Sequence, residues 1–487
     1  MNEKPQTIRL FVFKILHDKQ QPCRIKCSMD GFSSFFAILM LCAGLFLSVR
    51  INFFQFTHLG CAIKTALGLG QKRSARSKQK FDASGVTPFQ ALSSALGGSI
   101  GTANIAGVAS AIAIGGAGAV FYMWLAALVG MGVKFCEIVL ALRYREKRGG
   151  QWCGGAMLYI EKGFRKSNTG SRFLQSVSKP LAAGFALFGL LASSVGTPLV
   201  QSNTIAMSVN DAVLLFLPKA EQKTVCIIAG AATAALVGIV ILGGIQRIGK
   251  ASEIIVPFMA IGYIAICIIV LSRFSSRILP AFRDIFSGAL GIKQAVGGAA
   301  GFGAARALRI GMARGVYSNE AGVGSAPMAH ACANTNDPVK QGMYGIFEVF
   351  ADTIVMCTMT ALVVLASGIP LQVGGEISGT SIALRAFSTV LPERTTGIFL
   401  AVSMLLFAYT SLLGWAVYGM QCAKYLFGKR AQVPFCILYT VLTFAGALMK
   451  VDFVWTAGET LNYLMAAPNM LALLVLNREV RRETAFA

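Results

Sequence analysis

Uncharged or nearly uncharged windows of about 20 residues recur along this 487-residue chain from one end to the other. A helix of that length is what it takes to cross the hydrocarbon core of a bilayer, so the chain is constrained to an all-α polytopic membrane protein. About eleven such windows lie near 31–49, 88–114, 118–142, 180–208, 224–244, 252–272, 291–313, 342–367, 396–424, 431–449 and 453–476. Hydrophobic residues make up 55% of the chain and charged residues only 13%, far from a soluble globular average.

Lys and Arg outnumber Asp and Glu by 44 to 21. In a soluble protein that excess points to nucleic acid, but in a membrane chain it reads as topology, because basic residues gather in cytoplasmic loops. With the loop 50–87 inside and alternation thereafter, 28 basic residues face the cytoplasm and nine the other side. The first 30 residues carry six more, which this orientation places outside, against the rule; a missed re-entrant segment or a wrong start codon would account for them. No small-residue cleavage site follows an apolar core, so the first span is expected to stay in place. The basic stretch 70–85 and the longer one at 143–172, with a Gly-Gly turn and an amphipathic segment around Met157 to Ile160, read as cytoplasmic faces. The expected location is the bacterial cytoplasmic (inner) membrane.

Several chemistries lack their residues. The 12 cysteines include no C-x-x-C pair, so neither a zinc site nor a disulfide framework is expected. His17, His58 and His330 are too few for a bis-histidine haem or a histidine relay. The run from Gly244 to Ala251 resembles a phosphate-binding loop, but Ala251 stands where the magnesium-binding hydroxyl belongs. ATP is therefore not an expected partner, and transport energy would come from an ion gradient. H-E-x-x-H and G-x-S-x-G are absent, which argues against an enzyme; no catalytic residue and no organic cofactor are expected.

Two spans are interrupted by glycine. GGSIGTANIAGVASAIAIGG (97–116) crowds Gly97, Gly98, Gly101, Thr102 and Asn104 into one stretch, and AVGGAAGFGAAR (295–306) contains Gly297, Gly298, Gly301 and Gly303. They lie five spans apart, and paired breaks in corresponding positions point to a transporter of inverted repeats with a mid-membrane site. Glycine costs roughly 1 kcal/mol per helix position relative to Ala, and lipid cannot satisfy an unwound backbone; ligand, ion or water can. The competing explanation is that small residues allow close helix packing, as at Gly311 and Gly315.

In the first break, the N–H groups of Gly101 to Asn104 at a restarting helix favour an anion. The carbonyls around Gly97, Gly98 and Ile100 favour a small cation such as sodium. The second break, 296–302, offers carbonyls for an ammonium group and Phe302 as an apolar wall. FAYTSLLGW (407–415) supplies Thr410 and Ser411, which either bond back to their own helix or complete the cation site, and Trp415, which lines the cavity or packs. Gln201 is the expected substrate contact on the fourth span; Asn203 beside it, like Gln201 itself, is open to a role as interhelical glue. Among the intramembrane charges, Lys134 and Glu137 are spaced to pair with each other. Glu348 and Asp352 have no basic partner in their own span and could serve protons or cations. Glu459 reads as an interhelical acceptor.

Positions 89–137, containing LGGSIGTANIAG and GGAGAVFYMW, together with GMARGVYSNEAGVGSAPMAHA, DTIVMCTMTALVVL and FAYTSLLGW, resemble the alanine or glycine:cation symporter family, also called the sodium:alanine symporters. The resemblance spans the chain and implies sodium-driven symport of small neutral amino acids. It implies a five-plus-five inverted-repeat (LeuT-type) fold with one extra leading helix. That divides the chain into a basic segment 1–30, an extra helix and loop 31–87, repeats at 88–272 and 291–477, and a tail 478–487. It implies substrate contacts at Gly101, Thr102, Asn104, Gln201, the second break and Trp415. The chain departs from the family pattern at Ala103 (usually Gly), Tyr122 (usually Trp), Ala117 (usually Pro), Ala156 and Leu158.

Overall fold

The computed structural model describes residues 38–69, 85–166, 172–291, 300–370, 379–449 and 452–485, apart from the side chains of 300–302, 452–457 and 459. The basic N-terminal segment, nearly all of the loop 70–85, Gly297, Gly298 and the side chain of Glu459 thus lie outside the description.

Among the described residues the chain is almost entirely helical. It begins with α1 (Ile38–Arg50) and two short helices, α2 (Phe54–Thr57) and α3 (Leu59–Ala66). An interrupted span follows, α4 (Pro88–Ser99) and α5 (Ala106–Gly115), separated by a single 3-10 turn at Thr102–Asn104. Thr87 starts α4 with a reciprocal capping box to Gln90 and with Pro88 in the first turn, which satisfies donors the helix itself cannot. Next come α6 (Gly118–Tyr144), a hairpin of β1 (Glu146–Arg148) and β2 (Gln151–Cys153), and the amphipathic α7 (Ala156–Lys166). The hairpin turns through Gly149 and Gly150 at φ +57° and +80°, the left-handed pair that a two-residue turn requires.

Helix α8 (Arg172–Leu191) runs through a π-helical turn at Ala192–Gly196 into α9 (Thr197–Leu214). Then follow α10 (Gln222–Ile241), α11 (Gly244–Arg273) and α12 (Ser275–Ala289). A second interrupted pair is α13 (Ala300–Asn319) and α14 (Ala326–His330). Helix α15 (Pro338–Val349) passes through a π-helical stretch, Phe350–Cys357, into α16 (Thr358–Ser367). The chain ends with α17 (Gly379–Phe387), α18 (Glu393–Phe427), α19 (Gln432–Gly446) and α20 (Asp452–Ala485).

Seven of the described helical segments are long and apolar enough to span a bilayer. Others fall short for visible reasons. The span at 88–115 is broken, α13 carries Arg306, Arg309 and Arg314, and α19 has 15 residues. Burial separates the spans: 89% of the α6 window is covered by protein, against 33% for α11. Helix α6 is therefore a central post and α11 a lipid-facing wall. On α13, a methyl at Gly311 would lie 2.2 Å from the Ala119 carbonyl of α6, and one at Gly315 would lie 2.8 Å from Ala126 Cβ, so this pair of glycines serves close packing.

Of the second break expected at 296–302, residues 296–299 lie outside the described residues, and 300–302 are helical. Gly301 and Phe302 form the first turn of α13, which runs unbroken to Asn319; the interruption comes at 320–325. There Gly322 and Gly324 both take φ +83° and Glu320 takes φ +54°, conformations that helix cannot continue through. Phe302 is 18 residues from Glu320, roughly 27 Å along the helix, so neither it nor Gly301 reaches this break.

The two interrupted spans are tied together at the start of the first and the end of the second. Val86 N–H donates to the Cys332 carbonyl (3.1 Å) and Asn334 N–H to the Val86 carbonyl (2.8 Å). Arg145, stacked 4.0 Å over the Trp152 ring, donates to the carbonyls of Ala331 (3.0 Å), Ala333 (2.5 Å) and Thr335.

Candidate binding site at two helix breaks

The first break has an identifiable local cause. A continuing helix would direct the Gly101 N–H to the Gly97 carbonyl; here it donates to Asn104 Oδ1 at 2.9 Å. The helix stops, and the carbonyls of its last turn are released from intrahelical bonding. The chain then makes one 3-10 turn, with Asn104 N–H donating to the Gly101 carbonyl and Ile105 N–H to that of Thr102. The N–H groups of Thr102 and Ala103 precede the first donor of that turn and remain for a ligand. Helices α4 and α5 measure roughly 18 and 15 Å at 1.5 Å per residue; together they match the hydrocarbon thickness, which puts the break near mid-membrane.

Helix α18 presses on the break. A methyl at Gly97 would lie 3.2 Å from both Thr410 Cβ and its carbonyl oxygen, and one at Gly101 would lie 2.7 Å from Ser411 Oγ. Gly414 returns the favour, with no room for a side chain against Gly98. Gly97, Gly98, Thr410 and Ser411 of the expected sodium set thus lie together, with Ile100 at the end of the same half-helix. Thr410 and Ser411 bond back to carbonyls of Leu406 and Phe407 at 3.0 Å, which leaves their lone pairs unspent. Tyr418, whose hydroxyl would be 2.5 Å from a methyl at Gly98, is buried with that hydroxyl unpartnered.

Above this packing lies a cavity of about 40 Å³. Its walls include Gly101 and Ala103 of the break, Gln201 of α9, Ser411 and Trp415 of α18, and Glu320 of the second break. Gln201 Oε1 accepts from Thr102 Oγ1 at 3.3 Å. Trp415 Nε1 donates to Glu320 Oε1 at 2.8 Å, while Ser325 Oγ donates to Glu320 Oε2 at 2.6 Å. Asn462 of α20 also lines the cavity, and its Oδ1 is buried without a partner. Neither Glu320 nor Asn462 was among the residues picked from the sequence. Both are acceptors, and together they suit an ammonium group; the backbone donors at Thr102 and Ala103 suit a carboxylate.

Asn104 sits behind the cavity rather than in it. It is fully buried, and its Nδ2 donates to Asp352 Oδ1 (2.7 Å) and lies 3.2 Å from Ser318 Oγ. Asn203 donates to the carbonyls of Gly446 (3.3 Å) and Met449 (2.6 Å), the interhelical glue expected of an amide in a span.

The second break is held by side chains from other helices. Gly324 N–H donates to Glu137 Oε1 (3.1 Å), and Asn469 Nδ2 of α20 donates to the Gly322 carbonyl (2.9 Å), so the unwound backbone is satisfied inside protein. Glu137 is thereby committed, and the expected Lys134–Glu137 pair does not form. Lys134 Nζ instead pairs with Glu348 Oε1 at 3.0 Å, and Glu348 Oε2 meets His330 Nε2 at 3.1 Å. Glu348, at first sight a free acid, is fully partnered.

Residues 26–485 match the model of the sodium:alanine symporter family. The chain is 38% identical over 451 residues to the sodium/alanine symporter AgcS of Methanococcus maripaludis, covering 92% of each chain. It is 34% identical to the putative sodium/proton-dependent alanine carrier protein YrbD of Bacillus subtilis, over 90% of this chain and 86% of that one. To the probable sodium/glutamine symporter GlnT of the same organism it is 33% identical, over 92% and 87%.

Proposed function

The chain belongs to the sodium:alanine symporter family, and from that membership we propose that it carries small neutral amino acids, alanine or glycine, across the cytoplasmic membrane together with sodium. It is a multi-pass membrane transporter and not an enzyme. The substrate carboxylate would rest on the N–H groups of Thr102 and Ala103 beside Gln201. Its ammonium group would face Glu320 and Asn462, with Trp415 closing one wall. Sodium would bind among the carbonyls of Gly97, Gly98 and Ile100 and the hydroxyls of Thr410 and Ser411. Helices 88–272 and 291–477 would form two inverted five-helix repeats after an extra leading helix. Rocking of the pair of interrupted helices against the rest would open the site to either side of the cytoplasmic membrane in turn.

One observation carries this reading: donors and acceptors of opposite preference, Ala103 and Gln201 on one side and Glu320 and Asn462 on the other, line one cavity, an arrangement that suits a zwitterion. The test is uptake of labelled alanine into proteoliposomes, with an inward sodium gradient compared with choline at matched pH and potential. Accumulation above equilibrium that needs sodium and is competed by glycine supports the reading. Uptake that ignores sodium and follows a pH gradient would replace sodium with a proton, and uptake without accumulation would mean a passive channel.

A further inference from the structure

His330 ends α14, the short helix that follows the second break, and is wholly buried. Side chains of α15 meet both of its ring nitrogens. Nε2 lies 3.1 Å from Glu348 Oε2, and Nδ1 lies 2.8 Å from Gln341 Nε2. Glu348 Oε1 in turn takes Lys134 Nζ of α6 at 3.0 Å. A neutral imidazole carries one donor and one acceptor. Here Nε2–H on Glu348 and the Nδ1 lone pair under the Gln341 amide N–H satisfy it at both nitrogens.

Gln341 allows the ring a second state. Its Oε1 is buried without a partner, a costly position for an acceptor. Half a turn of the amide about its last bond brings that oxygen to Nδ1 and leaves every other atom in place. The ring could then hold a second proton with an acceptor on each nitrogen, Gln341 Oε1 for Nδ1–H and Glu348 Oε2 for Nε2–H. One amide atom is spare in either setting, so the amide serves both.

The surrounding charges favour that second proton. Three buried carboxylates, Glu348 of α15, Glu137 of α6 and Glu320 of the second break, act on the ammonium of Lys134, so negative charge is in excess within this group. Helix α4 packs against α14 but carries no titratable side chain. Helix α18, which also packs on α14, brings Tyr418, Cys422 and Lys424; Cys422 Sγ lies 3.6 Å from Met328 Sδ, and Lys424 Nζ donates to Gln151 Oε1. Beyond the helix end the Cys332 thiol donates to the Met328 carbonyl, and Arg145 is spent on the carbonyls of Ala331, Ala333 and Thr335. Histidine is the side chain whose charge ordinarily changes between about pH 5 and pH 8.

The ring's bonds also cross a boundary. Helix α14 belongs to the interrupted pair, whereas Gln341, Glu348 and Lys134 stand on α15 and α6, which alternating access would move relative to that pair. Charge-assisted hydrogen bonds are roughly twice as strong as neutral ones, so a proton on the ring ties α14 down harder. By linkage, the tied position binds the proton better. We propose that His330 is a proton-binding site that brakes the transport cycle: protonated, it holds α14 against α15 in the position seen here, and neutral, it releases α14 to move. This rests on the alternating-access reading above.

Two readouts test it. Protein labelled at histidine with nitrogen-15 has three imidazoles, those of His17, His58 and His330, and the magnetic-resonance signal lost in His330→Gln is the one to follow. At alkaline pH it is expected to show Nε2 protonated and Nδ1 bare, and on acidification to gain a proton on Nδ1. Exchange of labelled alanine in proteoliposomes, at equal pH and equal sodium on both sides, is expected to slow at least about fivefold over the same pH range, the low end of coupling between linked sites. In His330→Gln that slowing should be lost. Gln341→Met offers Nδ1–H no oxygen and should move both the protonation and the slowing to lower pH; the signal it moves identifies His330 if His330→Gln does not fold. A ring that keeps one protonation state throughout overturns the proposal, as does a slowing that survives in His330→Gln. A ring that titrates with no change in exchange rate overturns the brake. If no alanine is exchanged at any pH while the ring titrates and Gln341→Met shifts it, the symporter reading fails and the proton site stands.

Discussion

Gly101→Ala tests the cavity most directly. The added methyl would lie 2.7 Å from Ser411 Oγ and 3.6 Å from Gln201 Nε2. Since relaxed carbon-to-oxygen contacts begin near 3.3 Å, Ser411 must give by about 0.6 Å. It can rotate, forfeiting its bond to the Phe407 carbonyl at about 1 kcal/mol, or α18 can shift as a body away from a break it already touches at Gly97 and Gly98. Overpacking of this kind typically costs 1–3 kcal/mol. If the cost falls on the liganded state, substrate affinity drops by roughly 5- to 150-fold. The assay is saturation binding of labelled alanine to purified protein in saturating sodium, with size-exclusion profile and thermal midpoint measured alongside. Gly184→Ala, where a methyl meets nothing within 4 Å, is the control and should bind as wild type. A Gly101→Ala protein that is monodisperse and binds alanine within twofold of wild type would show that the substrate does not sit between the break and Ser411.

Three further outcomes follow from the same geometry. Glu320→Gln retains partners for Trp415 and Ser325 but removes the negative charge facing the cavity, so alanine affinity should fall tenfold or more, about 1.5–3 kcal/mol for a charge-assisted bond; equal affinity in a binding titration would remove Glu320 from the ammonium site. Lys134→Met leaves Glu348 buried with only His330 and should cost about 3–5 kcal/mol of stability, read as a lowered thermal midpoint in detergent, with the double variant Lys134→Met, Glu348→Leu recovering much of it. Asn104→Ala frees Gly101 N–H to rejoin the helix and removes a donor from Asp352; saturable substrate binding should vanish from a protein that still purifies as a single species.

The uncharged windows and the first break were legible in the sequence for physical reasons that act locally. Glycines 97, 98 and 101 beside Asn104 leave little else for that stretch to do, and the Gly-Gly pair at 149–150 signals its hairpin as plainly. Glycine number, taken alone, drew attention to 296–302, whose described part is helix, and passed over the break at 320–325. What decides its position is three left-handed residues at 320, 322 and 324, one of them a glutamate, and the satisfaction of their backbone by Glu137 and Asn469, far away in sequence. Lys134 and Glu348 are 214 residues apart, so spacing along one helix led to Glu137 instead. Glu320 and Asn462 were missed for a related reason: each becomes a cavity residue only once elements from both halves of the chain converge.

That convergence bears on how binding could drive movement. The two interrupted helices are joined at their outer ends by the Val86 bonds to Cys332 and Asn334, and at the breaks by Asn104 against Ser318. They share backbone and side-chain bonds at two levels, so displacing one without the other would break several buried bonds at once. The opposite wall of the cavity belongs to other helices, through Gln201 of α9 and Ser411 and Trp415 of α18. A ligand held between Thr102 and Gln201, or between Glu320 and Asn462, therefore bonds both bodies at once. Its binding free energy can favour one relative position over another only through that difference in contact. In the proposed cycle the cation acts on the paired helices where α18 meets the first break, at Gly97. Coupling would then arise because the break that offers its N–H groups to the substrate at Thr102 and Ala103 is the same one whose released carbonyls at Gly97 and Gly98 would hold the cation.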